Sequence, residues 1–213
     1  MDLPVAPATL LAFLSVALAI VISPGPDTLL ILRNTLNSGT RTGMATVAGV
    51  QLGLVGHTAL AALGLSVVIA SSPRLFGLVA LAGGGYLGWL GLQSFRGGLM
   101  RIDTAGRTVG AGAALRDAML TNLLNPKVIL LFLALMPGFV DPARAATPQL
   151  VMLALALLAI NIVWQVPVAL AAEAARRQLS RPMVQRWINR LTGAILTGFG
   201  MLLIWDHGGG LFG

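Results

Sequence analysis

The sequence contains no cysteine and few charged residues. Only 10% of its 213 residues are charged, whereas an ordinary soluble domain has about 25%. Without cysteine, disulfides, thiolate metal sites and thiol redox chemistry are excluded. Two histidines, without a histidine-rich loop, give little support to a transition-metal site. We therefore expect neither a metal nor any other cofactor.

Apolar residues make up most of the chain. They make up 56% of the chain, and the mean hydropathy is +0.86. Four long intervals carry no formal charge: residues 3–26, 42–73, 75–95 and 145–172. Each can supply the roughly 20 apolar residues that a helix needs to cross a bilayer. The start, Met1 to Pro4, has no basic residue, so we expect the first segment to be a span and not a signal peptide. The sequence thus predicts an all-α integral membrane protein.

Turn residues divide the chain into six predicted transmembrane helices within a single domain, residues 1–213. The spans cover about residues 8–36, 43–71, 75–95, 117–140, 147–173 and 188–206, with a linker at 96–116. Most Lys and Arg residues fall in the connections between spans 1 and 2, 3 and 4, and 5 and 6. The positive-inside rule makes these loops cytoplasmic and places both termini outside. This distribution explains the net charge of +7 and argues against nucleic-acid binding.

The first span is interrupted by four residues that disfavour a helix: Ser23, Pro24, Gly25 and Pro26. The two prolines remove the hydrogen bonds to the carbonyls of Ile20 and Ile22, and Gly25 is expected to allow the bend. Irregular backbone at membrane depth is tolerated where it is buried in protein or lines a cavity. We expect the helix to restart near Asp27, with free N–H groups and a positive dipole end.

The fourth span repeats this interruption at Asn125, Pro126 and Lys127. Pro126 frees the carbonyl of Asn122, and Pro137 is expected to break the helix again near its outer end. The first and fourth spans each begin a group of three consecutive spans. Because three is odd, the second group enters the membrane from the opposite side, so the two groups have opposite orientations. The pattern predicts a 3+3 inverted repeat whose broken helices meet at a midplane binding site.

Asp27 and Lys127 are the formal charges that lie within the predicted spans rather than near their ends. A charge at the bilayer centre costs about 2.5–3.5 kcal/mol on insertion scales, and such residues usually mark a pathway or relay. Two structural explanations stay open: the charges form a buried ion pair, or Lys127 extends to the cytoplasmic interface. Gln51 and Gln165 are further candidates for substrate binding, with interhelical hydrogen bonding as the alternative.

Four ordered motifs carry a resemblance over nearly the whole chain: SPGPDTLLILRNTLNSGTRTG, GVQLGLVGHTALAALGLSVVIASSP, GGGYLGWLGLQSFR and LTNLLNPKVILLFLALMPGFV. The chain resembles the LysE/RhtB family of bacterial amino-acid exporters. The residues matching the family's first motif are Pro24, Gly25, Pro26 and Asp27, and those matching the second are Asn125, Pro126 and Lys127. The resemblance implies a carrier of the bacterial inner membrane that exports amino acids, using the proton gradient. Met136 to Phe139 departs from the family, where Pro-Gln-Phe is common.

We expect an amino acid to bind between spans 1 and 4. Its carboxylate would face Lys127 or the N–H groups at the restart of the first helix. Its ammonium would face Asp27 and the carbonyls of Ile20 and Ile22, and protonation of Asp27 from outside would release it. The scarcity of charge in the spans favours neutral or polar substrates such as threonine, homoserine or a leucine-like amino acid.

Other functions stay open at this point. The chain could export another small solute or a divalent metal ion, although metal export normally needs clustered Asp, Glu, His or Cys residues. A passive channel is a further alternative. An enzyme is not expected, because no nucleophile, base and orienting group stand in visible register. Stripes of glycine permit a homodimer within the lipid bilayer without requiring one.

Overall fold

The computed structural model describes residues 3–23, 25–62, 73–96, 108–179 and 181–208, and within these ranges the regular structure is helical. The helices are α1 (Pro7–Ile22), α2 (Pro26–Ser38), α3 (Thr40–Leu60), α4 (Pro73–Phe95), α5 (Ala111–Leu123), α6 (Pro126–Leu130), α7 (Ala146–Leu179) and α8 (Pro182–Gly208). α6 continues as a π-helical turn, Leu131–Leu135, and a 3₁₀ turn, Met136–Phe139. The predicted all-α class is confirmed.

Proline marks the start of many helices. α1, α2, α4, α6 and α8 all begin at a proline, a residue that suits the first helical position because its missing N–H would have no partner there. The same prolines that interrupt the predicted spans therefore also open the next helix. Pro26 and Pro126 each follow a break and begin a new helical segment.

Three helical stretches in the described ranges are long and apolar enough to cross a membrane alone: Thr40–Leu60, Ala146–Ala172 and Pro182–His207. Two bent pairs also qualify, each as one broken span. α1 and α2 are bent by 49°, and α5 is bent by 46° from the segment Pro126–Phe139. The described residues thus give up to five spans by length and composition. The predicted third span corresponds to α4, and the count of six stays a prediction.

Several boundaries differ from the expected ones. α5 begins at Ala111, inside the predicted linker, because the run Ala111 to Leu115 consists mostly of good helix formers. α8 begins at Pro182, ahead of the predicted 188. The remainder of the linker, 97–107, lies outside the described residues, as do the end of the second predicted span, 63–71, and Pro24.

Two helix pairs pack with backbones in close contact, α4 with α8 and α3 with α5. A Cβ on Gly200 of α8 would lie 2.5 Å from the carbonyl oxygen of Gly84 and 2.7 Å from the backbone nitrogen of Gly88. A Cβ on Gly49 of α3 would collide with the carbonyl of Leu115. Glycine is required at these contacts because only hydrogen fits between the helices.

The helix contacts relate the two halves of the chain. The second span (α3) packs on the fourth (α5), the fifth (α7) packs on both parts of the first, and the third (α4) packs on the sixth (α8). Exchanging the predicted spans 1–3 with the predicted spans 4–6 maps these three contacts onto one another, whereas the contact between the first and second spans has only a small counterpart between the fourth and fifth. An inverted repeat requires this exchange symmetry.

We predict that Gly200→Ala destabilises the protein by about 1–3 kcal/mol, the usual cost of overpacking a core. The new methyl group would push against the backbone of α4. Gly198→Ala is the matched control, since a Cβ there meets nothing within 4 Å. Thermal unfolding of both variants in the same detergent checks the prediction. Equal melting temperatures for the two variants would contradict the packing of α4 on α8.

Candidate functional site

A small cavity lies where the two helix breaks meet. Its polar wall consists of Gly25, Asp27, Thr28, Asn125, Lys127, Asn161 and Gln165, and its apolar wall consists of Ile20, Val21, Leu54, Val128, Leu131 and Leu157. Its volume is about 40 Å³, which holds about three water molecules. The fold therefore brings five of the predicted site residues to one place: Gly25, Asp27, Asn125, Lys127 and Gln165.

Lys127 is the chain's only lysine, and it binds the end of α1. Its Nζ donates to the carbonyl oxygen of Ser23 at 2.6 Å and to Ser23 Oγ at 2.8 Å. Ser23 Oγ in turn donates to the carbonyl oxygen of Ile20 at 2.7 Å. The ammonium thus sits at the C-terminal end of a helix, where the dipole favours a cation. The carbonyl of Ile20, which we expected to be free, is already satisfied.

Asp27 lies in the first turn of α2, where the dipole favours an anion. Asn122 Nδ2 donates to Asp27 Oδ2 at 2.8 Å. The other carboxylate oxygen, Oδ1, is buried without a hydrogen-bond partner among the described residues. One oxygen of Asp27 is therefore fixed, and the second lacks a hydrogen bond to the described residues although Asp27 belongs to the cavity wall.

Asn122 has a second role through its backbone. Its carbonyl, which Pro126 was predicted to free, accepts hydrogen bonds from Asn125 N at 3.0 Å and from His57 Nε2 at 3.2 Å. The ring of His57 stacks on Phe132 with centroids 5.4 Å apart. The carbonyl of Asn122 at the break before α6 is thus hydrogen-bonded by His57 of α3 and by Asn125 of the break itself. The sequence pointed to the Asn122 carbonyl, but nothing in it indicated that the side chain holds Asp27.

The two intramembrane charges do not pair with each other. In the described part of the chain no ion pair within 4.0 Å links Asp27 to Lys127, and the salt bridges found there, Arg116–Asp117 and Arg144–Asp141, lie at exposed sites. The buried ion pair considered from the sequence is therefore not formed. The other alternative, extension of Lys127 to the interface, is also wrong, because its ammonium is held by Ser23.

A row of amides borders the cavity. Gln51 Nε2 donates to Gln165 Oε1, and Gln165 Nε2 donates to Asn161 Oδ1, both at 3.0 Å. Asn161 Nδ2 donates to the carbonyl of Leu157 at 3.0 Å. Gln165 and Asn161 line the cavity, while Gln51 is not part of its wall and is hydrogen-bonded to Gln165. Asn161 joins the site because it lies one helical turn before Gln165.

The remaining break residues have structural roles. Asn125 caps α6, its Oδ1 accepting from Lys127 N at 3.1 Å. Gly25, which we expected to allow the bend, has φ −146° and ψ −173°, an extended conformation that does not require glycine. A Cβ on Gly25 would stand 3.7 Å from Lys127 Nζ. The glycine instead keeps space open beside the ammonium.

No metal site accompanies these groups in the described ranges, where no three His, Cys, Asp or Glu residues come together.

Comparison with known proteins assigns the family. Residues 18–207 match the family model described as LysE type translocator. The chain belongs to the LysE type translocator family. The resemblance read from the sequence motifs is thereby confirmed, and the protein is a multi-pass membrane protein of a transporter family.

Named relatives cover almost the same length. An "Uncharacterized membrane protein" of Vibrio cholerae is 34% identical, over 91% of this chain and 95% of its own. The homoserine/homoserine lactone efflux protein of Salmonella typhimurium is 29% identical, over 90% of this chain and 94% of its own. The threonine efflux protein of Escherichia coli is 29% identical, over 92% of this chain and 98% of its own. No solved structure matches the chain.

We predict that Gly53→Ala impairs transport although Gly53 is not in the cavity wall. A Cβ there would lie 2.8 Å from the Cβ of Asn122 and 2.5 Å from its Oδ1, so the Asn122 side chain must move, and we expect its hydrogen bond to Asp27 to be lost. Loss of a hydrogen bond to a charged group costs about 1.5–3 kcal/mol, so we expect the transport rate to fall about tenfold or more.

Gly56→Ala on the same helix is the control, because its Cβ would meet only the end of the Leu123 side chain. Both variants are compared for transport and for thermal stability. Normal transport by Gly53→Ala would show that Asn122 does not position Asp27.

Proposed function

We propose that this LysE family translocator exports neutral or polar amino acids from the cytoplasm in exchange for protons. The observation that carries the proposal is a cavity presenting an unpartnered carboxylate oxygen of Asp27 and the ammonium of Lys127, with no ion pair between them. A zwitterionic amino acid has the complementary pair of charges. The names of the relatives, homoserine and threonine efflux proteins, support the same substrate class.

The hydrogen-bonding capacity of both groups suits this substrate. A lysine ammonium has three N–H donors, and two of them bind Ser23. The third would bind the substrate carboxylate, aided by the positive end of α2. The substrate ammonium would donate to Asp27 Oδ1, while Asn122 keeps Oδ2 fixed. Each charged group of the substrate then gains a charge-assisted hydrogen bond.

The rest of the cavity wall supports a neutral side chain. Leu54, Leu131 and Leu157 offer apolar contact, and Asn161 and Gln165 offer amide groups. Apart from Asp27 and Lys127, no wall residue carries a formal charge, so a charged substrate side chain would lack a partner and pay its desolvation cost. Threonine, homoserine and leucine-like amino acids meet these charge conditions, and their binding requires the cavity of about 40 Å³ to widen.

Proton coupling in this proposal depends on Asp27. While ionised, Asp27 attracts the substrate ammonium; once protonated from outside, it loses that attraction and the substrate leaves. The chain would act as one transmembrane domain of the bacterial inner membrane, with both termini outside. The basic residues of the predicted connections 1–2, 3–4 and 5–6 would then face the cytoplasm, as the positive-inside rule requires.

We predict that Asp27→Asn abolishes the response of export to a pH gradient. The amide cannot ionise, and it lacks the negative charge that attracts an ammonium. Transport is measured in proteoliposomes with and without a gradient, and Asp117→Asn, at an exposed carboxylate of α5, is the control. Full gradient-driven export by Asp27→Asn would refute the coupling role. Counterflow of labelled amino acid separates a carrier from a passive channel, which would show none.

We predict that Lys127→Ala raises the half-saturating substrate concentration about tenfold or more, the effect of losing one charge-assisted hydrogen bond. Arg116→Ala, which removes an exposed cation from α5, is the control. Because Lys127 also binds Ser23, thermal stability is measured in parallel. Gly25→Ala offers a second test: it places a methyl group beside Nζ and should weaken binding while leaving the ammonium in place. Unchanged affinity in both variants would remove Lys127 from the site.

A further inference from the structure

A second cavity lies at the other end of α1, away from the helix breaks. It has a volume of about 280 Å³ and is lined in part by Thr9, Phe139, Asp141, Arg144 and Gln149. By the predicted topology this end faces outward. We call it the outer cavity, and we call the cavity at the helix breaks the central cavity. The outer cavity is several times larger than the central cavity, and none of the predicted site residues lies in it.

The same three elements line both cavities. α1 contributes Thr9 to the outer cavity and Ile20 to the central one, and α7 contributes Gln149 and Leu157 in the same way. The third element runs from Lys127 in α6 to Phe139 at the end of the 3₁₀ turn. The two cavities therefore lie at opposite ends of one seam between these elements.

Large apolar side chains close the seam between the cavities. Phe13 and Phe139 form an edge-on ring pair with centroids 5.3 Å apart and an interplanar angle of 74°. Phe13, Met136 and Leu153 are completely buried. Aromatic pairs of this geometry are favourable but individually modest. The closure consists of side-chain contacts, which can form and separate without unfolding a helix.

The wall that carries Phe139 is the least regular part of the seam. The π-helical turn Leu131–Leu135 passes directly into the 3₁₀ turn Met136–Phe139, which contains Pro137. Such departures from α-helical hydrogen bonding often mark functional hinges. Their position between the two cavities puts the deformable backbone beside the closure.

The outer cavity offers both signs of charge. Arg144 Nε lies 3.5 Å from Asp141 Oδ2, and both side chains are about half exposed. An exposed pair of this kind is weak and can separate to receive another pair of charges. Gln149 fixes the loop beneath it: Gln149 Nε2 donates to the carbonyl of Asp141 at 3.0 Å, and Gln149 Oε1 accepts from Asp141 N at 2.8 Å.

We propose that the outer cavity is a release site for the zwitterionic amino acid, reached from the central cavity along this seam when Phe13 and Phe139 separate. Arg144 receives the carboxylate and Asp141 the ammonium. The identity of the ligand rests on the proposed function, whereas the existence of the path does not. The path and the ligand therefore require separate experiments.

Cysteine accessibility tests the path. The chain has no native cysteine, so Ala17→Cys places one thiol in the seam, one turn beyond Phe13 on the same face. A membrane-impermeant thiosulfonate is applied from outside. Introducing Phe139→Ala as a second substitution should make this thiol react about tenfold faster, because the substitution removes the ring pair. Ala80→Cys, equally buried in α4, is the control and should stay unreactive.

If Ala17→Cys does not fold, Met136→Cys probes the same seam from the opposite wall. A thiol that stays unreactive with Phe139→Ala would overturn the path, even in a protein that transports amino acids. Equal acceleration at Ala80→Cys would also overturn it, since the effect would then be general loosening.

Arg144→Gln tests the ligand. In counterflow it should raise the half-saturating concentration of external amino acid about tenfold, as expected for a lost charge-assisted contact, with little change for internal amino acid. Arg74→Gln, at another arginine predicted to lie outside, is the matched control. Equal external affinities in the two variants would remove Arg144 from the release site. If the unsubstituted protein transported no amino acid, the proposed function would be wrong. The thiol results would still test the path.

Discussion

The interruption of the first span governs the electrostatics of the whole site. It creates a helix C-terminus at Ser23 and a helix N-terminus at Pro26 inside an apolar bundle. Lys127 occupies the negative end and Asp27 the positive end, so each charge has a dipole partner of opposite sign. The two charges can therefore be buried without binding each other. That separation leaves Asp27 Oδ1 and one N–H of the Lys127 ammonium without a hydrogen bond to the described residues.

Much of this arrangement could be predicted from the sequence because its causes are local. Proline interrupts the helix in which it lies, and charges such as Asp27 and Lys127 are conspicuous in apolar spans. The contacts of Asn122 could not be predicted, because they depend on how closely α3 and α5 approach at Gly53. The satisfied carbonyl of Ile20 likewise depends on a hydroxyl rotamer at Ser23. Interhelical distances and side-chain rotamers cannot be inferred from the order of residues along the chain.

The bundle combines two kinds of helix contact. In the pairs α3–α5 and α4–α8, glycines bring backbone against backbone, and any relative movement would lose many close contacts at once. Along the seam between α1, the irregular turns and α7, the contacts are between large side chains such as Phe13 and Phe139. These can change rotamer while the backbones move little. Conformational change is therefore easier along the seam than within the glycine pairs.

Lys127 connects the central site to this seam. It lies in α6, directly before the irregular turns, and its ammonium binds the end of α1. In the proposed function the substrate carboxylate takes the third N–H of this ammonium, while the other two N–H groups keep their hydrogen bonds to Ser23. A ligand shifts a conformational equilibrium only through different affinities for the two states. A carboxylate at the third N–H would have such a difference, because the position of the ammonium depends on whether α1 stays tied to α6. Substrate binding and the contact between α1 and α6 would then share one ammonium group.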